Sequence, residues 1–245
     1  MRVGILGSGL MGAKLGTIFA RAGHEVVFSY ARDEQKLERL ARAARGKASA
    51  GTPAEAARDA DAILLAVHWS RVDDVLTQAG NLTGKVIITC SLPMNRDDTD
   101  LVIAHTSSGA EALARKVPRA RVVSAFGTVP SEVLFGVFAS RRKARRPSLL
   151  YCGDDARSKR VAARLIRDSG FDPVDAGPLR FARYLEPFTL LIARLAYDRE
   201  RRTRAGVSIR APEATLIFSW SPIQKSLESL RYLRVPRRRG SCAFA

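Results

Sequence analysis

Cysteine is scarce: Cys90, Cys152 and Cys242 are the whole complement of the 245 residues. Three thiols, far apart and odd in number, give neither the paired spacing of a zinc site nor the density of a disulfide scaffold. A reducing, cytoplasmic compartment and no metal site are expected. Long apolar runs are lacking too. The longest near the middle, Ala62 to Val67, falls far short of the ~20 residues that span a bilayer. The N-terminus, interrupted by Gly4, Gly7, Gly9, Gly12 and Lys14, has no greasy block before a cleavage site. These absences predict a soluble chain with no secretion signal and no membrane partner. No internal repeat points to a solenoid.

Basic residues are abundant. Lys and Arg total 41 against 24 Asp and Glu, a formal charge of +17, which raises the question of a polyanionic partner. Residues 199–245 hold 11 of the basic and 3 of the acidic side chains, so nearly half of the surplus sits in the last 47 positions and the rest of the chain is only mildly basic. The run Arg141 to Arg146 places five cations in six residues. Such a run is a solvated loop or a site for an anion; without interleaved aromatics, nucleic acid ranks below a small anionic ligand.

With 46% apolar residues the chain can bury a full core. Short aliphatic runs at Arg2–Leu6, Glu25–Phe28, Ala62–Val67, Lys85–Thr89, Arg121–Phe126, Ser148–Cys152 and Phe171–Val174 read as strands. Between them, Leu10–Ala22, Glu34–Ala44, Val72–Ala79, Glu111–Lys116 and Ala156–Ser169 carry apolar residues at helical spacing. The alternation predicts an α/β fold of Rossmann type, a doubly wound, mostly parallel sheet over residues 1–178. One amphipathic run, Phe181–Tyr197, follows, so 179–198 is expected to be a C-terminal helical extension covering the cleft. In residues 199–245 regularity fades, and they read as a basic tail, disordered or aberrant, that is either a lineage-specific extension or the product of a shifted reading frame.

Gly7-Ser8-Gly9-Leu10-Met11-Gly12 lies directly between the first strand and the first helix. There a first glycine permits the turn, a second lets pyrophosphate approach and a third lets helix and strand pack, while amides at the helix start attract the anion. A dinucleotide site is expected. An NAD site usually has a carboxylate about 20 residues on, for the ribose 2′-OH; here Ser29-Tyr30-Ala31-Arg32 follows the second strand. Ser29, Arg32 and Lys36 suit a 2′-phosphate, which favours NADP. The alternative for Arg32 and Lys36 is a solvated helix start beside Asp33 and Glu34.

These motifs, with Ala66-Val67-His68-Trp69, Cys90-Ser91-Leu92-Pro93, Val123 to Pro130 and Asp175 to Leu179, resemble the coenzyme F420-dependent NADP oxidoreductases, a family to which the cytoplasmic domain of membrane ferric reductases is similar. The resemblance runs from Met1 to about Asp198. It implies hydride transfer between NADP(H) and a deazaflavin (F420) or flavin, with Ser8 to Met11 at the pyrophosphate, Ser29, Arg32 and Lys36 at the 2′-phosphate, and Val67 and His68 flanking the adenosine or nicotinamide. Gly127 stands where relatives carry a polar side chain, so one contact to the redox partners is missing.

Carbonyl reduction needs a proton donor, and the helix Phe181–Tyr197 has no Lys or His. A ring acceptor takes hydride directly and suits a site poor in acids and bases. No catalytic residue is singled out. His68, at a strand end, is either catalytic or a buried structural histidine. Ser91 and Thr128 can bond the nicotinamide carboxamide or merely cap turns. His105 precedes Thr106 and Ser107 at a helix start, where the hydroxyls are expected to cap. The apolar last helix makes a homodimer plausible. The rival function is an NADP-binding sensor or scaffold without turnover.

Overall fold

A computed structural model describes residues 1–31 and 33–197; Arg32, Cys242 and the expected tail lie outside the described residues. The chain runs β1 (Arg2–Leu6), α1 (Leu10–Arg21), β2 (Glu25–Ser29), α2 (Glu34–Ala44), β3 (Ala48–Ala50), α3 (Pro53–Arg58), β4 (Ala62–Leu65), α4 (Val72–Ala79), β5 (Val86–Thr89), α5 (Gly109–Lys116), β6 (Arg121–Ser124), α6 (Leu134–Ala139), β7 (Ser148–Gly153), α7 (Ala156–Asp168), β8 (Asp172–Asp175) and α8 (Ala182–Tyr197). The strands form one sheet in the order β3-β2-β1-β4-β5-β6-β7-β8. It is parallel from β3 to β6, β7 runs antiparallel to β6, and β8 is parallel to β7. The expected α/β class and mostly parallel sheet are what the structure shows.

Side-chain alternation sorts the strands into two cores. Val3, Ile5, Leu64 and Ile88 face Leu15, Ile18 and Phe19 of α1 with Leu165 and Ile166 of α7. Leu6, Ile63, Leu65 and Ile87 face Ala56 of α3, Val75 of α4 and Leu113 of α5. Both faces being covered, the central strands are apolar throughout. Chain order reverses at β1, with β2 on one side and β4 on the other. A crevice at the carboxyl ends of such strands is where doubly wound folds take their ligands.

Three elements lie outside the sequence pattern: β3, α3 and the short α6. α3 starts with a capping box, in which Thr52 Oγ1 accepts from the Glu55 N–H at 3.2 Å and Glu55 accepts from the Thr52 N–H at 2.7 Å. The expected capping by Thr106 and Ser107 is corrected. Ser108 is the N-cap of α5, accepting from the Glu111 N–H at 3.1 Å, and His105 sits in the loop before it with φ +62°.

Candidate functional site

The glycine loop leaves β1 through Gly7, whose φ of +110° is the left-handed region; a Cβ there would lie 2.5 Å from the Ala66 carbonyl oxygen. Gly12 presses α1 against the loop, since its Cβ would stand 1.8 Å from the Gly7 oxygen. Gly9 is different: a Cβ built on it meets nothing within 4 Å. It caps α1 without a side-chain hydrogen bond, and no acid occupies the first turn. The first intrahelical bond runs from the Ala13 N–H to the Gly9 carbonyl, so the amides of Leu10, Met11 and Gly12 point outward with the positive end of the helix dipole. That is a cradle of the sign a pyrophosphate requires, with no side chain in front of it at Gly9.

Ser8 is not part of that cradle. Its N–H donates to the Tyr30 carbonyl at 3.2 Å, its hydroxyl donates to the Ser29 carbonyl at 2.9 Å, and it is buried. Ser29 is also turned away from the expected 2′-phosphate. β2 extends one residue further than its aliphatic run, Ser29 pairs with Leu6, and its fully buried hydroxyl donates to the Ile5 carbonyl at 2.7 Å. Both serines thus tie the loop to the sheet. Lys36 is exposed on the first turn of α2, while Asp33 caps that helix by accepting from the Gln35 N–H at 2.9 Å.

Beyond β4, the Val67 N–H donates to Ser91 Oγ at 3.2 Å, and that hydroxyl donates to the Leu65 carbonyl at 3.4 Å. Ser91 therefore stitches the β5 exit to the β4 exit. His68 caps a 3-10 turn, Trp69–Arg71. Its Nδ1 accepts from the Ser70 N–H at 3.2 Å, which assigns the proton to Nε2, 3.1 Å from Asp98 Oδ1. The ring is about a third exposed, its side chain 33% accessible, so it caps the turn at the surface and not in the core.

At the ends of β5 and β6 a narrow recess is lined by Thr89, Ser91, Ser124, Gly127, Thr128 and, from α8, Glu186. Its free volume of about 10 Å³ holds about one water. Gly127 faces Thr189 across it, 3.7 Å from the position of an added Cβ. Glu186 carried no signal in the sequence beyond being an acid in an apolar helix. It is 3% exposed and accepts from the Gly109 and Ala110 N–H groups at 2.7 and 2.9 Å, closing the N-terminus of α5. Burial pushes its carboxyl up to about 7 against the pull of those two amides. Lys14 of α1 donates to the Ser131 carbonyl at 3.0 Å on the same face of the sheet, and Arg183 of α8 forks onto Glu111 at 2.7 and 2.9 Å. Among the described residues no cluster of His, Cys, Asp and Glu could hold a metal ion, and no helix is long and apolar enough to cross a membrane.

Residues 2–93, which contain the glycine loop and the first five strands, match the family model of the coenzyme F420-dependent NADP oxidoreductases, the family that the motifs resemble. Metalloreductase STEAP3 of Rattus norvegicus is 30% identical over 189 residues, 77% of this chain and 36% of that protein; the chain thus spans about a third of this relative. A crystal structure from Arthrobacter sp. FB24, provisionally named an F420-dependent NADP-reductase, superposes with a TM-score of 0.69 at 25% identity, covering 80% of this chain and 92% of that one. A reductive aminase from Aspergillus terreus, solved with NADPH, shares the fold at 19% identity and a TM-score of 0.59, over 84% and 68% of the two chains. The family match falls on the part of the chain that carries the glycine cradle, and the fold is the one these NADP-binding reductases share.

Proposed function

We propose that the protein transfers hydride between NADP(H) and a deazaflavin of the coenzyme F420 type, or a flavin. The observation that carries this reading is the uncapped, acid-free start of α1 at the switch point of the sheet, opening beside a recess without a Lys or His among its lining residues. In it the amides of Leu10, Met11 and Gly12 hold the pyrophosphate in the room that Gly9 leaves. Lys36, with Arg32, addresses the 2′-phosphate. The Val67-His68 turn borders the dinucleotide, and Ser91 and Thr128 stand on the nicotinamide side. Bound NADPH supplies a hydride; a ring acceptor takes it directly, so the chain's task is to hold two rings in contact and exclude water.

The test is NADPH oxidation by the purified chain with coenzyme F420, FMN, FAD and, because a relative is a metalloreductase, ferric chelates. Turnover with F420 or flavin is the expected result. Turnover with ferric chelate alone would replace the acceptor. NADPH binding without turnover on any acceptor is the signature of the second reading, a nucleotide-binding sensor or scaffold, which Gly127 and the constricted recess favour. The reading includes a soluble cytoplasmic protein and a homodimer through the outer face of α8, where Tyr184 and Leu191 are 69% and 54% exposed; light scattering on the full chain decides the latter.

A further inference from the structure

We propose that Tyr30, anchored by Asp74, is the aromatic platform on which the purine of the dinucleotide stacks. This rests on the reading that the crevice takes NADP(H), and it assigns to the adenosine end a residue pair that the glycine cradle does not include.

Position comes first. Ser29, the last residue of β2, pairs with Leu6, so Tyr30 stands level with the glycine loop, and its carbonyl receives the Ser8 N–H at 3.2 Å. Its side chain then crosses β1 to the far side of the crevice, where the phenol donates to the carboxylate of Asp74 on α4. Asp74 is itself held by Gln78 Nε2 at 3.0 Å. The ring thus spans from the exit of β2 across the exit of β1 to the helix that follows β4.

The backbone supports the same conclusion. Tyr30 has φ +58°, a left-handed conformation that is costly for a bulky side chain and persists where surrounding bonds over-determine it. The bonds to Ser8 and Asp74 do so here. The ring is half-buried, packed against the apolar cluster that holds Leu6, Val27 and Leu65, so part of its surface stays open. With the hydroxyl committed to Asp74, what the ring can offer a ligand is its π face. A π face stacks on a purine without reading its edge.

The experiment is calorimetry on the full chain with three probes: NADPH; 2′,5′-ADP, which carries the purine and both adenosine phosphates; and reduced nicotinamide mononucleotide, which carries neither. Tyr30→Ala is expected to weaken NADPH and 2′,5′-ADP by roughly five- to 150-fold, the range of base stacking on an aromatic side chain, and to leave the mononucleotide unchanged. Tyr30→Phe and Asp74→Ala remove the same bond from its two ends, so each should give the same smaller loss and the double variant no more. Tyr30→Leu keeps apolar contact with the core but has no π face, and gives the Tyr30→Ala result if that variant fails to fold. Unchanged 2′,5′-ADP affinity in folded Tyr30→Ala or Tyr30→Leu, or an equal loss for the mononucleotide, overturns the platform while NADPH binding by the unmodified protein stands. An unmodified protein that binds neither NADPH nor 2′,5′-ADP overturns the nucleotide reading, and the platform with it.

Discussion

At Gly9 and Gly12 the same substitution tests opposite things. A methyl group at Gly12 would meet the Gly7 carbonyl oxygen at 1.8 Å, so Gly12→Ala must displace loop or helix, at about 1–3 kcal/mol for an overpacked contact. At Gly9 the methyl meets nothing within 4 Å, and Ala is a poorer N-cap than Gly by up to about 1 kcal/mol. Gly9→Ala should therefore lose little stability yet bind NADPH less tightly, whereas Gly12→Ala should lose more of both; thermal melts beside calorimetry separate the two. The cofactor-discriminating residues divide in the same manner. Ser29 spends its hydroxyl on the Ile5 carbonyl, so Ser29→Ala should cost about 1 kcal/mol of stability with no change in the NADPH to NADH preference. Lys36 is exposed and outside any ion pair among the described residues. Lys36→Ser should weaken NADPH by about one decade and leave NADH nearly untouched; an unaltered preference would move recognition of the phosphate elsewhere. Glycine spacing was legible in the sequence because it encodes local backbone geometry. The direction of the Ser29 side chain was not, because it depends on one additional residue of β2 pairing with β1.

Among the elements, α8 depends on a buried carboxylate. Glu186 receives the Gly109 and Ala110 amides, and Glu186→Ala leaves those amides without it, at about 1–3 kcal/mol for each group left unpaired. The pH dependence has a definite sign. A carboxyl whose pKa rises to about 7 on folding binds protons more tightly in the native state, so its contribution to stability is greatest below the ordinary carboxyl range and is lost as pH rises towards 7. The stability of the unmodified protein minus that of Glu186→Gln should accordingly fall between about pH 4.5 and 7 and level off above it. Denaturant melts across that range measure the difference, and a flat difference would mean that the carboxylate stays ionised, held by α5. Elements with strong periodicity, α2, α4 and α7, were legible from the spacing of their apolar residues. The helix α3 had a visible start in Thr52-Pro53-Ala54-Glu55, but six residues are too few for a period. In β3, Ala48-Ser49-Ala50 has neither β-branched residues nor alternation, being an edge strand fixed by its neighbour. The reversal of β7 had no local sign at all: strand direction is decided by how the chain returns through α6, a tertiary outcome.

For the molecule as a whole, charge and core are separable. Among the described residues both apolar clusters are built from positions no later than Ala182, with Leu185 packed against one of them, while the last 47 positions carry 11 basic against 3 acidic side chains. The surface the core leaves basic is uneven: Arg142, Lys143, Arg145, Arg157, Arg160 and Arg167 lie on α7 and the loop before β7 without an ion pair among the described residues. A chain ending at Asp198 should thus keep the cooperative melt and the NADPH affinity of the full protein. Its binding of a generic polyanion such as heparin should weaken yet not vanish, because the α7 cations remain. Removing charges that touch no ligand alters long-range attraction for anions more than contact energy, and that attraction is screened beyond about 10 Å at 0.1 M salt. Any loss of NADPH affinity on truncation should therefore disappear in added salt. A loss that persists there, or a broadened melt, would mean that residues beyond 198 complete the site, and the boundary between enzyme and tail would have to move.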